Sequence, residues 1–409
     1  MSTTKLLVSL QFGNTEKEVG ELVSDGKKIY FKYFPEFVTS KLQISPFKLP
    51  LSSTIETAEI VPFDGLFGVF NDSLPDGWGR LLLDRTLMSK GFSLSQITPL
   101  DRLTYVGSNG LGALVYKPSN KIENRLEQHL ELDAISKEMN LVLEGASSDI
   151  IEELYQLGGS SGGARPKIMV GYNPVTDHIV YGNQDLPTGY EHWIIKFPSS
   201  FDRIDSANIE YAYYLMAIET GIEMAPCKLF KSQSGKCYFG TKRFDRMGNN
   251  KLHMHSASGL LHDNFRLSTL DYGHLMNIAF ELEKSVGAYD KILRLAAFNI
   301  FSHNRDDHSK NFSFLMDHSG SWRFSPAYDL TYSNSSHGFH STMAAGESKN
   351  PNKKHLIALA DNFSMKRTDL IIDEVQTVLS SWKDFAVSSN VGNESLQLIH
   401  KTITNLIKT

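Results

Sequence analysis

Cysteine is nearly absent from this chain of 409 residues: there are two, Cys227 and Cys237, in successive strand-like runs. So few thiols exclude a disulfide-built scaffold, make a poor metal site without further ligands, and suit a reducing cytoplasm, where each is expected as a buried free thiol. Long apolar runs are lacking too. None approaches the roughly 18 residues of a membrane span, and the N-terminal MSTTKLLVSLQFGN has neither a basic region nor a long apolar core. A soluble, cytoplasmic protein with no membrane partner is expected. There is no excess of positive charge: 41 Lys and Arg face 46 Asp and Glu, a net charge of −5, which disfavours direct nucleic-acid binding as the main activity. Internal repeats and a Walker A phosphate loop are also missing. What is present is ordinary for a globular protein, 41% apolar and 21% charged residues, in a chain long enough for two or three structural units.

Residues 5–12 (KLLVSLQF) and 28–34 (KIYFKYF) read as strands separated by polar turns, the start of a small antiparallel unit. Between Phe70 and Arg80, Pro75 and Gly77 mark a turn and Asp76 is placed to cap the following helix, LLLDRTLM. A capped helix start with a buried Trp78 is favoured there over a ligand loop. Residues 101–117, with Gly107, Gly110 and Gly112, read as a glycine-bent strand connection, and 119–148 as a connector that turns helical. At 157–170 a glycine- and serine-rich stretch containing Gly162, Gly163 and Ala164 runs through Arg165 and Lys167 into a strand. Its glycines let backbone N–H groups approach phosphate oxygens and its cations add charge, so a phosphate role is preferred to a flexible linker. Lys196, on the apolar strand Trp193–Phe197, needs a charge partner if buried, and Glu210 in the next helical stretch offers one; a solvent-facing lysine on an edge strand is the plain alternative. A hairpin about Ser234-Gly235 ends at Lys242–Arg246, where a connector between two lobes would present backbone groups to an adenine ring. From 271 onward the pattern is mainly helical: 272–286, 289–302, 354–364, 367–382 and 393–408. Strands early and helices late indicate an α+β chain of two lobes.

The richest stretch is His303-Asn304-Arg305-Asp306-Asp307-His308-Ser309-Lys310-Asn311. An apolar helix pattern with Ile292, Leu295, Ala296 and Ile300 runs into it, and a hairpin leads on to Asp329. Two chemistries can use such groups: a metal-dependent phosphohydrolase built on His and Asp, or phosphoryl transfer with Asp306 as base and Asn311 and Asp329 holding Mg²⁺. The first leaves Lys310, Asn311 and Asp329 without roles. The second uses the Asp, the Asn five residues on and the later Asp in the order found in protein kinases, and gives Lys196 and the glycine loop a phosphate to bind. It is preferred, with His303 set aside and His308 bracing the loop by hydrogen bonds.

On Asn71–Arg80, Leu103–Pro118, Gly163–Lys167, Lys242–Arg246, Asn304–Asn311 and Pro326–Thr331 the chain resembles the HipA family of serine/threonine kinases, toxins of bacterial toxin–antitoxin pairs. The resemblance implies a two-lobed protein-kinase-like fold: an N-terminal β-rich accessory domain at 1–118, a kinase N-lobe with glycine loop and ATP lysine at 119–250, and a helical C-lobe with the catalytic loop at 251–409. It implies ATP and Mg²⁺, with Asp306 catalytic, Asn311 and Asp329 on the metal, and Lys196 on the ATP phosphates. Lys242 and Phe244 would offer backbone contacts to adenine, Tyr328 would line the nucleotide pocket, and His308 would border it. Ser160, or its neighbour Ser161, matches an autophosphorylated serine whose modification silences such kinases. Better-known members carry Gln-Glu where this chain has Arg165-Pro166, so it is expected in another branch. Implied partners are a protein substrate, in several relatives an aminoacyl-tRNA synthetase, and a small DNA-binding antitoxin. A nucleotide-binding corepressor with little turnover and a small-molecule kinase are the alternatives.

Overall fold

The structure, a computed structural model, describes residues 3–120, 131–146, 150–159, 162–181, 185–199, 202–335 and 338–408. The chain opens with a five-stranded antiparallel sheet of order β4-β3-β2-β1-β5, made by β1 (Lys5–Phe12), β2 (Thr15–Ser24), β3 (Ile29–Tyr33), β4 (Glu56–Thr57) and β5 (Leu114–Lys117). Leu6, Val8 and Leu10 alternate inward along β1, meeting Phe31, Phe67 and Phe70 in one core. Where polar turns were expected, β2 is a full strand. Its first four residues are exposed, and only Val19, Gly20 and Leu22 are buried, so pairing with both β1 and β3 rather than hydropathy makes it a strand. Helices α1 (Pro35–Thr39), α2 (Gly68–Asn71), α3 (Gly77–Ser89) and α4 (Pro99–Val106) complete this part of the chain. The strand expected from 101 starts only at Leu114, because Pro99 at the first helical turn and a capping box between Thr98 and Asp101 begin α4 instead.

The second sheet, also antiparallel, has the order β7-β6-β8-β10-β9, from β6 (Lys167–Asn173), β7 (His178–Tyr181), β8 (Glu191–Lys196), β9 (Cys227–Lys231) and β10 (Cys237–Lys242). Its core joins Trp193, Ile195, Ile168 and Val170 to apolar residues of α5 (Leu132–Leu143), α6 (Ile151–Gly158) and α3, including Trp78, Leu82 and Leu83. Helix α3 therefore packs with this sheet, although it precedes β5 of the first. Central β8 has Trp193 and Ile195 in that core, and the two-residue period sends Lys196 to the other face, toward α7 (Ser206–Glu219). The edge-strand alternative for Lys196 is excluded. Cys227 and Cys237 are free thiols but only partly buried; their registers, opposite Thr241 and Lys231, keep them apart, and burial pushes the Cys227 thiol up to about 12.

The remainder begins with a ribbon of β11 (Arg246–Met247) and β12 (Asn250–Lys251), then β13 (His253–Ser256) and α8 (Ala257–Leu261). The helical lobe follows, with α9 (Tyr272–Glu283) and α10 (Gly287–Phe301). Strands β14 (Ser313–Met316) and β15 (Trp322–Phe324) form the hairpin, and β14 also pairs with β13. Then come α11 (Lys353–Asn362), α12 (Thr368–Ser380), α13 (Trp382–Ser388) and α14 (Asn393–Ile407). Ten of the residues of α10 are buried, and Tyr213, Met216 and Ala217 of α7 enter the same core. Helix α13 was not apparent in the sequence: buried Trp382, whose indole N–H donates to Leu396 O at 3.0 Å, turns the chain after Ser381. No helix among the described residues is long and apolar enough to cross a membrane.

Candidate functional site

Lys196 lies where the second sheet meets the helical lobe, with a side chain 11% exposed. Its Nζ donates to Glu210 Oε1 at 2.5 Å and also to Asp329 Oδ1. Burial works against its charge, but the two carboxylates outweigh it and raise its pKa. Asp329 responds in the opposite direction. Burial would raise its pKa, yet Lys196 and Lys167 hold it well below the ordinary carboxylate range. Asp329 has a left-handed backbone (φ 57°), which aspartate tolerates better than bulkier residues. Upstream, Ala327 N donates to Glu223 O at 2.8 Å, so the segment carrying Asp329 is tied to the turn after α7.

The loop after α10 separates two adjacent acids. Asp306 is exposed at its tip; partial desolvation raises its pKa, with Asp329 and Asp307 adding to the shift against His308 and Arg165. Asp307 is buried and accepts from Tyr272 OH (2.8 Å), Ser341 N (2.8 Å) and Thr342 N (3.2 Å), with His340 Nδ1 at 3.0 Å. Asn311 Nδ2 donates to the Asp306 carbonyl at 2.8 Å, which leaves the Asn311 amide oxygen as a ligand atom. His308 does not brace the loop through a hydrogen bond to Asp306: Nε2 is 3.9 Å from that carboxylate, beyond reach. Its ring packs edge-on against Phe265, 5.4 Å between centroids. His303 pairs with Asn334 Oδ1 at 2.9 Å and stacks on Tyr332. The histidines and acids of this stretch thus face different surroundings and do not converge on one metal.

Of the glycine loop, Ser160 and Ser161 lie outside the described residues. Gly163 has φ 93°, and a Cβ there would fall 2.5 Å from Lys167 Nζ. That lysine is buried and curls back to donate to Gly162 O at 2.5 Å; burial lowers its pKa despite Asp329 nearby. Arg165 pairs with Asp202 at 3.0 Å, and beyond the cost of burial its charge is supported by Glu210, Asp202, Asp329 and Asp306. Ala164 follows Gly163 and touches the turn before α3. Asp76 occupies the N-cap position of α3 without capping it. Its carboxylate accepts from Gly163 N and, at 2.7 Å, from Lys310 Nζ. The sequence did raise a ligand loop here, but neither partner, 87 and 234 residues away, was visible from it.

At the connector, Lys242 N donates to Pro226 O at 2.9 Å and Lys242 Nζ to Glu191 at 2.6 Å, so the N–H of Lys242 is committed, while its carbonyl accepts from Thr241 Oγ1 at 3.5 Å and has a second lone pair for a ligand. Phe244 and Tyr328 face each other with ring centroids 5.4 Å apart, and Tyr328 OH donates to Lys310 O at 2.6 Å. A cavity of about 480 Å³ opens beside them, lined among others by Pro226, Lys242, Phe244 and Pro326. Behind it Asp245 is buried between Arg243 and Arg246 and accepts from Gly112 N at 2.8 Å, fastening the glycine turn before β5 to the connector.

Two family models match the chain: HipA-like C-terminal domain over residues 159–382 and HipA N-terminal domain over 13–117. Among solved structures it is similar to a chain of the complex of HipA, HipB and operator DNA from the Shewanella oneidensis MR-1 toxin–antitoxin system. The TM-score is 0.67 at 17% identity, covering 98% of this chain and 96% of that one. It also matches the Helicobacter pylori proinflammatory kinase CtkA, with TM-score 0.27 and 14% identity over 53% of this chain and 92% of that one. The fold is α+β and two-lobed, with a β-rich N-terminal part and a helical C-terminal lobe, and is shared with the HipA chain of that complex.

Proposed function

The chain belongs to the family of HipA-like proteins, and from that premise we propose that it is an ATP- and Mg²⁺-dependent protein serine/threonine kinase, the cytoplasmic toxin of a toxin–antitoxin pair. The observation that carries the reading is the Lys196–Glu210 ion pair set directly against Asp329, with Asp306 and Asn311 on the neighbouring loop. In this reading Lys196 binds ATP phosphate oxygens, and Glu210 keeps its ammonium aimed into the cleft. Asp306, exposed and with a raised pKa, orients the substrate hydroxyl and accepts its proton. The residues suit a hard cation, since Asn311 and Asp329 offer oxygens and Mg²⁺ takes only one or two protein ligands beside phosphates. When bound, Mg²⁺ supplies charge neutralisation at the phosphate oxygens. Adenine would lie at Phe244 and Tyr328, against the Lys242 carbonyl, with His308 at the border of the site. Gly162, Gly163, Ala164, Arg165 and Lys167 would cover the phosphates.

The same proposal assigns 1–118 as accessory domain, 119–250 as N-lobe and 251–409 as C-lobe, and places the chain in a branch marked by Gly-Ala-Arg-Pro-Lys at 163–167. Autophosphorylation of Ser160 or Ser161 would silence the enzyme. The substrate is a protein, an aminoacyl-tRNA synthetase or another translation factor, and a small DNA-binding antitoxin is the partner. Expression of the wild type should arrest growth, and labelled ATP should mark a peptide containing Ser160 or Ser161. Asp306→Asn should do neither. Arrest by the variant as strong as by wild type would replace the kinase reading with that of a corepressor acting by binding alone.

A further inference from the structure

The turn Pro75-Asp76-Gly77-Trp78-Gly79 is built against the glycine loop backbone to backbone. Gly77 has φ 42°, and a Cβ on it would come within 2.5 Å of Ala164 Cα. A Cβ on Gly79 would come within 2.4 Å of Gly159 O. Trp78 N donates to Gly163 O at 3.2 Å, and Gly163 N donates to Asp76, so both polar backbone groups of Gly163 are taken by this turn. The other Asp76 oxygen accepts from Lys310, one residue before Asn311, at 2.7 Å. Both side chains are shielded, 17% exposed for Asp76 and 14% for Lys310, and Lys310 Nζ also sits 4.8 Å over the Phe265 ring. The turn itself is anchored on either side. Trp78 is buried in the core of the second sheet, and Asp72 accepts from Ser256 N (2.7 Å) and Ser256 Oγ (2.6 Å), with His255 Nδ1 at 2.6 Å.

An aspartate at a helix N-cap ordinarily bonds to its own helix. This one bonds to two other elements, one through each oxygen, and they are the two loops between which a nucleotide would bind. We propose that Asp76 is a positioning residue of the nucleotide site: it ties the glycine loop, through Gly163 N–H, to the catalytic loop, through Lys310, and makes phosphoryl transfer depend on a turn that lies in the N-terminal part of the chain. The inference rests on the kinase reading given above. Asp76 touches neither nucleotide nor substrate hydroxyl in this role; it fixes the separation at which Lys196 and the glycine loop meet the phosphates and Asp306 meets the acceptor.

The full-length chain carrying Asp76→Asn keeps one oxygen for Gly163 N–H but no charge for Lys310; Asp76→Ala removes both. Hydrogen exchange in the nucleotide-free protein should show faster exchange at Gly163 and Ala164 in Asp76→Ala. With ATP and Mg²⁺, kcat of Asp76→Asn should fall by about tenfold to a hundredfold, the range that small misplacement of reacting groups produces, with a smaller change in KM for ATP. A thermal melt like that of wild type checks folding, and Asp76→Asn carries the test if the alanine variant does not fold. Exchange that stays at the wild-type rate in a folded Asp76→Ala variant overturns the proposal. So does turnover equal to or above wild type, the latter making the carboxylate a plug in the phosphate site. A wild type that binds no ATP and transfers no phosphate would instead sink the kinase reading, and the exchange result would still report whether the tie exists.

Discussion

The two loops that face each other across the site are held in different ways. The loop after α10 is fixed mainly by its own lobe: Asp307 takes bonds from Tyr272, Ser341 and Thr342, Asn304 Nδ2 donates to Asn299 at 2.9 Å, and Asn311 closes onto the Asp306 carbonyl, while Lys310 reaches out to Asp76. The glycine loop is fixed from outside, by Asp76 and Trp78 of a distant segment, with Lys167 reaching back to Gly162. The first arrangement makes a permanent part of the core. The second leaves the described part of the glycine loop held by a few bonds to a distant segment, the kind of local structure whose stability is set apart from that of the core.

Asp307→Ala should have the largest effect, because it removes a buried carboxylate and leaves its partners on two segments, Tyr272 and residues 340–342, without their acceptor. A loss of about 3–5 kcal/mol in denaturant unfolding is expected, and a loss below about 1 kcal/mol would mean that the catalytic loop is not held as described. Its neighbour sharpens the contrast. Asp306→Asn should leave stability within about 0.5 kcal/mol of wild type while phosphoryl transfer falls on the order of 10²- to 10⁴-fold. Gly163→Ala must place a side chain at φ 93° beside Lys167, a local penalty of about 1–3 kcal/mol. It should appear as weaker ATP binding and faster local exchange, with the global unfolding midpoint little moved. A global loss as large as that of Asp307→Ala would erase the distinction between the loops.

The smallest effect is on pH dependence. Asp306 must be ionised to act as base and its pKa is raised, so the acid limb of kcat/KM should lie above the ordinary carboxylate value of about 4. A limb at or below that value would contradict the assignment. Asp329, whose pKa is lowered, stays ionised through that range. Its contribution to stability is complete above the unfolded value and is lost only as pH falls from there toward its own lower pKa.

Much of this was legible in local pattern. The amphipathic run into α10, the spacing from Asp306 to Asn311 and on to Asp329, and a lysine on an apolar strand followed by Glu210 all report structure within a few dozen residues. What escaped depends on distant contacts. The polar segment of β2 is a strand because two neighbours pair with it, and α13 exists because Trp382 is buried against α14. Asp307, indistinguishable from Asp306 by type, is assigned to the core by Tyr272 and a loop more than 30 residues downstream. Asp76 looked like a helix cap because its helix begins there; its actual partners belong to two other segments. The amide of Lys242 looked available until the fold placed Pro226 O against it.

Central to the proposal is one nucleotide site in which Asp306 would perform the chemistry and Lys196, Asn311 and Asp329 would hold ATP and its metal. Intact-mass analysis after incubation with ATP and Mg²⁺, beside an ATP-binding titration, tests this most directly. Wild type should gain phosphate, and Asp306→Asn should bind ATP yet gain none. Equal phosphate on both proteins would contradict the account.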